Sequence, residues 1–211
     1  MDTIQKLIEL FRQFPGIGPR QAKRFVYFLL SQKNGYTTDL SKLLSELKND
    51  IAECSSCHRF FPLLRQGSAG QALCNICSDP KREASLLMIV SRDVDFENIE
   101  KTKSFTGYYF ILGGTVPILD ESPAERIRQK ELLKLIESPS QGSGESRKEI
   151  IMALDANPEG EYTRDYITRL LGPLSIKYGF KISTLGRGLS TGSELEYSDP
   201  DTIKSALQSR K

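Results

Sequence analysis

The chain has 211 residues, 38% of them hydrophobic and 27% charged, which is the profile of a soluble globular protein of one or two small domains. No run of about 18 apolar residues exists, which excludes a membrane-spanning helix. The opening segment MDTIQKLIELFRQF carries charges throughout and lacks the apolar core of a secretion signal, so a cytoplasmic chain is expected. Net charge is only +2, but residues 1–33 hold Lys6, Arg12, Arg20, Lys23, Arg24 and Lys33 against Asp2 and Glu9. A basic patch at one end of a near-neutral chain implies a polyanion contacted there.

In chain order, Ile4, Leu7, Ile8 and Phe11 follow helical spacing and predict a first helix from about Thr3 to Gln13. Pro15, Gly16, Gly18 and Pro19 break it, and Pro19 suits the first turn of a second helix whose buried stripe is Ala22, Phe25, Val26 and Leu29. NGYTTD is expected to be a loop, and Leu40, Leu43, Leu44, Leu47 and Ile51 to line a third amphipathic helix. After a cysteine segment from Cys54 to Cys77 come four short apolar runs, Leu86–Val90, Tyr108–Leu112, Ile150–Leu154 and Lys181–Leu185. Runs apolar on both faces, alternating with helices around Phe96 and Tyr166, predict buried strands in a mainly parallel α/β sheet. SPSQGSGES, Ser138–Ser146, reads as a linker, and the polar, glycine-rich tail ends in a short helix around Ile203 and Leu207.

Three motifs carry chemistry. FPGIGPRQAKRF joins two helices through Gly16-x-Gly18, and glycines without a Cβ let backbone N–H groups approach a phosphate closely. The following helix presents its N-terminus there, with Arg20, Lys23 and Arg24 in its first turns, an arrangement that grips phosphate without reading sequence. The bland alternative is a helix–helix turn with a solvated charged face. Cys54-Ser-Ser-Cys57 and Cys74-Asn-Ile-Cys77 stand sixteen residues apart, the spacing of a structural zinc ribbon. Two such pairs complete a tetrahedron, and in a reducing compartment disulfides do not explain them. His58, the single histidine, reads as a surface residue or a support for the ligands rather than a fifth ligand.

The third motif is acidic. Asp155, Glu159 and Glu161 follow the third strand, and Asp93 or Asp95 follows the first. Loops at the carboxyl ends of strands hold functional groups in doubly wound sheets, so these oxygens can ligate Mg²⁺; equally, they can simply complement a helix dipole.

The order of hairpin, four-cysteine knuckle, α/β domain and glycine-rich tail resembles the bacterial recombination mediator family RecR, over essentially the whole chain. FPGIGPRQAKRFVYFLL, the cysteine pairs, GYYFILGG followed by PILD, the EGE at Glu159–Glu161 and RGLSTGSELEY carry the resemblance. It implies a multi-part α+β fold: a helix-hairpin-helix region (1–53), a C4 zinc finger (54–80), a Toprim domain with a mainly parallel sheet (81–185) and a C-terminal tail and helix (186–211). It further implies DNA contact through Gly16, Gly18, Arg20, Lys23 and Arg24, and one Zn²⁺ held by Cys54, Cys57, Cys74 and Cys77. The implied role is non-enzymatic: recombinational repair of nucleoid DNA, single- or double-stranded and of any sequence. There the protein forms a dimer or tetrameric ring and acts with RecO, and in some cases RecF, to help load RecA on gapped strands. Asp155, Glu159 and Glu161 become a partner-binding or vestigial acidic site. Ser91 stands where Toprim domains keep a glutamate, and Asn157 replaces an acid of the later pattern. Fewer carboxylates weaken a divalent site, which argues against catalysis and against Mg²⁺ there. The rival is a Mg²⁺-dependent Toprim nuclease or topoisomerase-like enzyme, for which Tyr108, Tyr109 and Tyr162 near strand ends offer nucleophiles; tyrosines there are more often packing residues.

Overall fold

The computed structural model describes residues 2–33, 35–63, 73–138, 147–186, 189, 192 and 194–208. The chain divides into two compact units, Met1–Ala52 and Glu53–Lys211. The expected linker, beyond Ser138, lies outside the described residues, as do Arg187, Gly188, Ser190, Thr191 and Ser193 of the tail motif.

In the first unit, α1 (Thr3–Arg12) starts where the Asp2 carboxylate accepts the Gln5 backbone N–H at 2.8 Å. A turn through Gly16 leads to α2 (Pro19–Ser31), with Gly18 at the N-cap and Pro19 in the first turn. Ile8, Ala22 and Val26 are buried together, and Ile4, Leu7, Phe11 and Ile17 pack against them. The third helix corrects the sequence reading. α3 (Tyr36–Asp50) begins inside the expected loop NGYTTD, because Gly35 takes the left-handed conformation (φ +81°) and starts the helix directly. Ile51, expected on its apolar face, instead opens a strand, and no residue of α3 is buried.

β1 (Ile51–Glu53) and β2 (Phe60–Pro62) form a two-stranded sheet, too short to leave a periodic signal in the sequence. The larger sheet has the order β4-β3-β5-β6 and every pairing in it is parallel, as expected. Its strands are β3 (Glu83–Val90), β4 (Gly107–Ile111), β5 (Glu149–Ala153) and β6 (Lys181–Thr184). The crossovers are α4 (Asp93–Lys101), the pair α5 (Pro123–Arg126) and α6 (Gln129–Glu137), and α7 (Pro158–Tyr178). The two helices between β4 and β5 were not foreseen. A short 3₁₀ turn (Leu195–Tyr197) and α8 (Pro200–Gln208) end the chain, the helix standing where the tail's apolar spacing places it.

Alternate residues along the strands serve two cores. Leu87, Ile89, Phe110, Ile150 and Met152 face Leu132 and Ile136 of α6 and Ile167 and Leu171 of α7. Met88, Val90, Tyr109, Ile111 and Ala153 face Phe96 of α4 and the cysteine segment. Both sheet faces are therefore dry, which is why the strands read as continuous apolar runs. The cysteine knuckle acts as one of the covering layers.

Candidate nucleic-acid interface and metal centre

The hairpin brings its expected residues together. Gly16 has φ +76°, a conformation that side chains rarely tolerate, so the turn itself requires it. Gly18 is different: φ is −84° and a Cβ built there would meet nothing within 4 Å. Among the described residues nothing requires glycine at that position, which leaves its bare backbone open to an outside ligand. Arg20, Lys23 and Arg24 are all exposed on the side of α2 away from Ala22 and Val26. None of the three has an ion-pair partner among the described residues, and Lys23 lies over the Tyr27 ring at 5.9 Å. Three unneutralised cations beside a helix N-terminus form a local positive field suited to phosphate. Beside them, Arg24 and Gln21 edge an apolar groove of about 580 Å³ floored by Phe11, Phe25 and Leu29.

The four cysteines converge. Their sulfurs all lie within 4.8 Å of one another and all four residues are buried. Cys57 and Cys74 Sγ are 3.6 Å apart. A tetrahedral site with metal–sulfur bonds of about 2.3 Å has sulfur–sulfur edges of about 3.8 Å, so the set fits one ion. Their mutual hydrogen bonds drive the thiol pKa values in opposite directions: the bond with Cys57 holds Cys54 far below the ordinary thiol range, while the bond with Cys54 pushes Cys57 far above it. Sulfurs this crowded cannot all ionise unless a cation supplies the opposing charge. The local backbone is shaped to bring them together. His58 takes φ +62° after Cys57, and its N–H donates to the Cys54 carbonyl at 3.0 Å.

The supports of this knuckle were not visible in the sequence. His58 Nδ1 meets Glu53 Oε1 at 2.8 Å, and the same oxygen pairs with Arg128 Nε at 3.3 Å, so the histidine is a brace and not a ligand. The Ile111 N–H donates to the Cys57 carbonyl at 2.9 Å, and the Phe60 N–H donates to Asp93 Oδ1 at 2.9 Å. Residues scattered from position 53 to 128 thus lock the knuckle to the sheet, and no spacing rule links them.

Because the sheet is parallel, the loops after β3, β4 and β5 all emerge at its carboxyl edge, and the acids are found there. They do not form a ligand cage: among the described residues the only group of three or more close ligand atoms is the cysteine set. Several of them have other work, and so has Asn157. Asn157 Oδ1 accepts the Gly160 N–H at 2.8 Å and caps α7. Glu159 Oε2 accepts from the Thr115 hydroxyl at 3.3 Å, and Glu161 pairs with Arg164 at 3.6 Å. Gly160 packs so tightly that a Cβ would stand 2.1 Å from the Asp155 carbonyl oxygen. Asp95 bonds the Arg92 N–H at 3.0 Å; burial first, and then the charge of Asp155, push its carboxyl above the usual range. Ser91 is fully buried, and its hydroxyl has no partner among the described residues. Tyr109 is packed between Phe96 and Phe105 with its hydroxyl on Glu100, Tyr108 donates to the Asp79 carbonyl, and Tyr162 packs against the core.

Family models match the chain in three places: "RecR, helix-hairpin-helix" over residues 4–48, the Toprim domain over 85–186 and "RecR, C-terminal" over 188–211. "Recombination protein RecR" from Bifidobacterium longum subsp. infantis is 37% identical over 210 residues, 99% of this chain and 96% of that relative. The chain belongs to the RecR family. Proteins of the same name from two strains of Bifidobacterium longum match with the same identity and coverage. RecR membership places the chain in recombinational DNA repair, and it assigns the parallel sheet to a Toprim domain and the glycine turn to a helix-hairpin-helix. The cysteine cluster lies between the first two matched segments, and among the described residues no helix is long and apolar enough to cross a membrane.

Proposed function

We propose that this RecR-family chain is a non-catalytic mediator that binds DNA through its hairpin and, with RecO and in some settings RecF, helps load RecA onto gapped single strands. The observation that carries the reading is the coincidence of exposed, unpaired Arg20, Lys23 and Arg24 with the open backbone of Gly18. Phosphate contacts of this kind serve single- and double-stranded DNA alike and carry no base information. Cys54, Cys57, Cys74 and Cys77 hold one zinc per chain. Zinc there supplies charge and a cross-link, and four protein ligands leave no coordination position for a substrate.

The absence of turnover is proposed from the carboxyl edge. Asn157 is spent on capping α7, Glu159 is engaged by Thr115, and Ser91 brings no carboxylate. A Mg²⁺ site built from what is left lacks ligand charge. Assembly as a dimer or tetrameric ring is proposed from the first unit, whose groove and exposed α3 leucines offer apolar surface to a second copy.

The test measures RecA assembly on gapped DNA coated with single-strand-binding protein, with RecO and the chain added together. Stimulation is expected, and it should disappear in the zinc-loaded double variant Arg20→Ala/Arg24→Ala. For duplex DNA the slope of log affinity against log salt should flatten by about 0.9 for each phosphate that the variant no longer neutralises. No stimulation by the unaltered chain sinks the mediator reading. An unchanged slope in the variant moves the DNA site off the hairpin. Mg²⁺-dependent nicking that Glu159→Gln removes would favour the enzyme instead.

A further inference from the structure

The loop from Gly113 to Ser122, between β4 and α5, emerges at the carboxyl edge beside the acids and belongs neither to the hairpin nor to the cysteine set. It carries the most exposed large apolar side chain among the described residues: Leu119 is 94% exposed, and its neighbour Ile118 is 48% exposed. A single exposed leucine is ordinary on a surface. This one is held out by a loop tied down on both sides. Upstream, the Val116 N–H donates at 2.8 Å to the hydroxyl of Thr163, itself fully buried in α7, and Thr115 reaches Glu159. Downstream, Asp120 accepts the Ser122 N–H at 2.8 Å and Arg126 Nε at 2.6 Å. Val116, two residues before Ile118, is a full member of the core. The loop therefore cannot fold Leu119 inward without breaking these anchors, and the ordering cost of presenting it is already met within the fold.

The charges around the loop define what it fits. Glu121 lies within it, Glu159 is bonded to it from the first turn of α7, Asp155 follows β5 at the same edge, and Glu161 stands one residue beyond Gly160 with Arg164 beside it. With Arg126 and Arg164 set against Asp120 and Glu161, the acids Glu121, Asp155 and Glu159 leave the rim negative, and such a rim repels nucleic acid and attracts a basic surface. We infer that Leu119 and Ile118 are the apolar anchor of a protein-docking face at the carboxyl edge, and that its partner offers an apolar socket edged by lysine or arginine. This rests on the reading that the acidic edge meets the mediator partner, and adds the anchor that holds it.

The experiment titrates purified RecO, as the probe, against the full zinc-loaded chain. Leu119→Asp should weaken binding by at least about tenfold, the scale of a central interface residue. Ile176→Asp, an equally drastic change at a position 88% exposed on α7, should leave binding within about twofold. Charge reversal of the rim, Glu159→Lys with Glu161→Lys, should weaken binding and slow association. If Leu119→Asp binds like the unaltered chain while the rim variant fails, the anchor is refuted and the acidic face stands. If neither variant changes binding, the reading of the face itself falls. A drop in the solution mass of Leu119→Asp without RecO would assign the loop to contacts between copies and overturn the proposal.

Discussion

The two units solve the problem of apolar surface in opposite ways. In Glu53–Lys211 the sheet is covered on both faces, by α6 and α7 on one side and by α4 with the cysteine knuckle on the other. In Met1–Ala52 only Ile8, Ala22 and Val26 are buried among the described residues, while Leu43, Leu44 and Leu47 on α3 are each more than half exposed. A segment of about 50 residues buries too little to offset its conformational entropy alone. One unit is closed in itself with the help of a four-cysteine cluster that fits a metal. The other has surface left over, which matches its proposed role of meeting DNA and further copies of the chain.

The largest expected effect tests the metal's share in that closure. Cys54→Ser removes a ligand from a site whose binding free energy, on the order of 10–16 kcal/mol for structural zinc, is also folding free energy. The variant should lose its zinc by elemental analysis and its cooperative melting transition. One zinc per chain retained with unchanged melting would show that the knuckle is not a structural layer.

A smaller effect contrasts two leucines. Leu132→Ala in α6 empties a fully buried site and should cost about 2–5 kcal/mol at every protein concentration. Leu43→Ala, at a site 64% exposed, should cost under about 0.5 kcal/mol within one chain, yet reduce solution mass at dilute concentration. Equal, concentration-independent losses for the two variants would erase the contrast between the units.

The smallest effect lies at the acidic edge. Burial, reinforced by Asp155, raises the Asp95 carboxyl above its ordinary value, so its charged form is a cost in the folded state. The sign follows from linkage: the folded chain holds this proton more tightly than the unfolded chain, and stability falls as pH rises through the folded value. Asp95→Asn should therefore melt slightly higher than the unaltered chain at neutral pH, and the gap should close as pH falls towards the ordinary carboxylate range of about 4. A variant that melts lower at neutral pH would mean that the bond from the Arg92 N–H outweighs the burial.

The sequence was most legible where a local rule was strong. Both-face apolar runs announced the parallel strands, cysteine spacing announced the knuckle, and Gly16 with Pro19 announced the hairpin. Boundaries slipped by a few residues where the cue was weak: Thr37 and Thr38 are poor helix formers, so apolar spacing alone starts α3 later than Gly35 allows. α5 and α6 went unread because the stretch after β4 opens with VPILDESP, which looks like a loop and hides the short helices behind it. At the candidate site, which residues come together was legible and what engages them was not. Nothing in the spacing of Glu53, His58 and Arg128 says that they share one carboxylate, and Leu119 looks as fit for a core as Val116 does.

The knuckle also bears on how the chain behaves at high concentration. β4 is an edge strand, and its sequence GYYFI is uncharged and aromatic, the kind of edge on which another chain can add a strand. Its two ends are claimed in advance: Arg82 takes the Gly107 carbonyl at 3.1 Å, Arg128 takes the Ile111 carbonyl at 3.2 Å, and the Cys57 carbonyl takes the Ile111 N–H at 2.9 Å. The cysteine loop, together with these two arginines, thus guards the ends of that edge against sticking to its own kind. A chain stripped of zinc would be expected to form β-rich aggregates before it unfolds completely, so that loss of the ion shows first as turbidity.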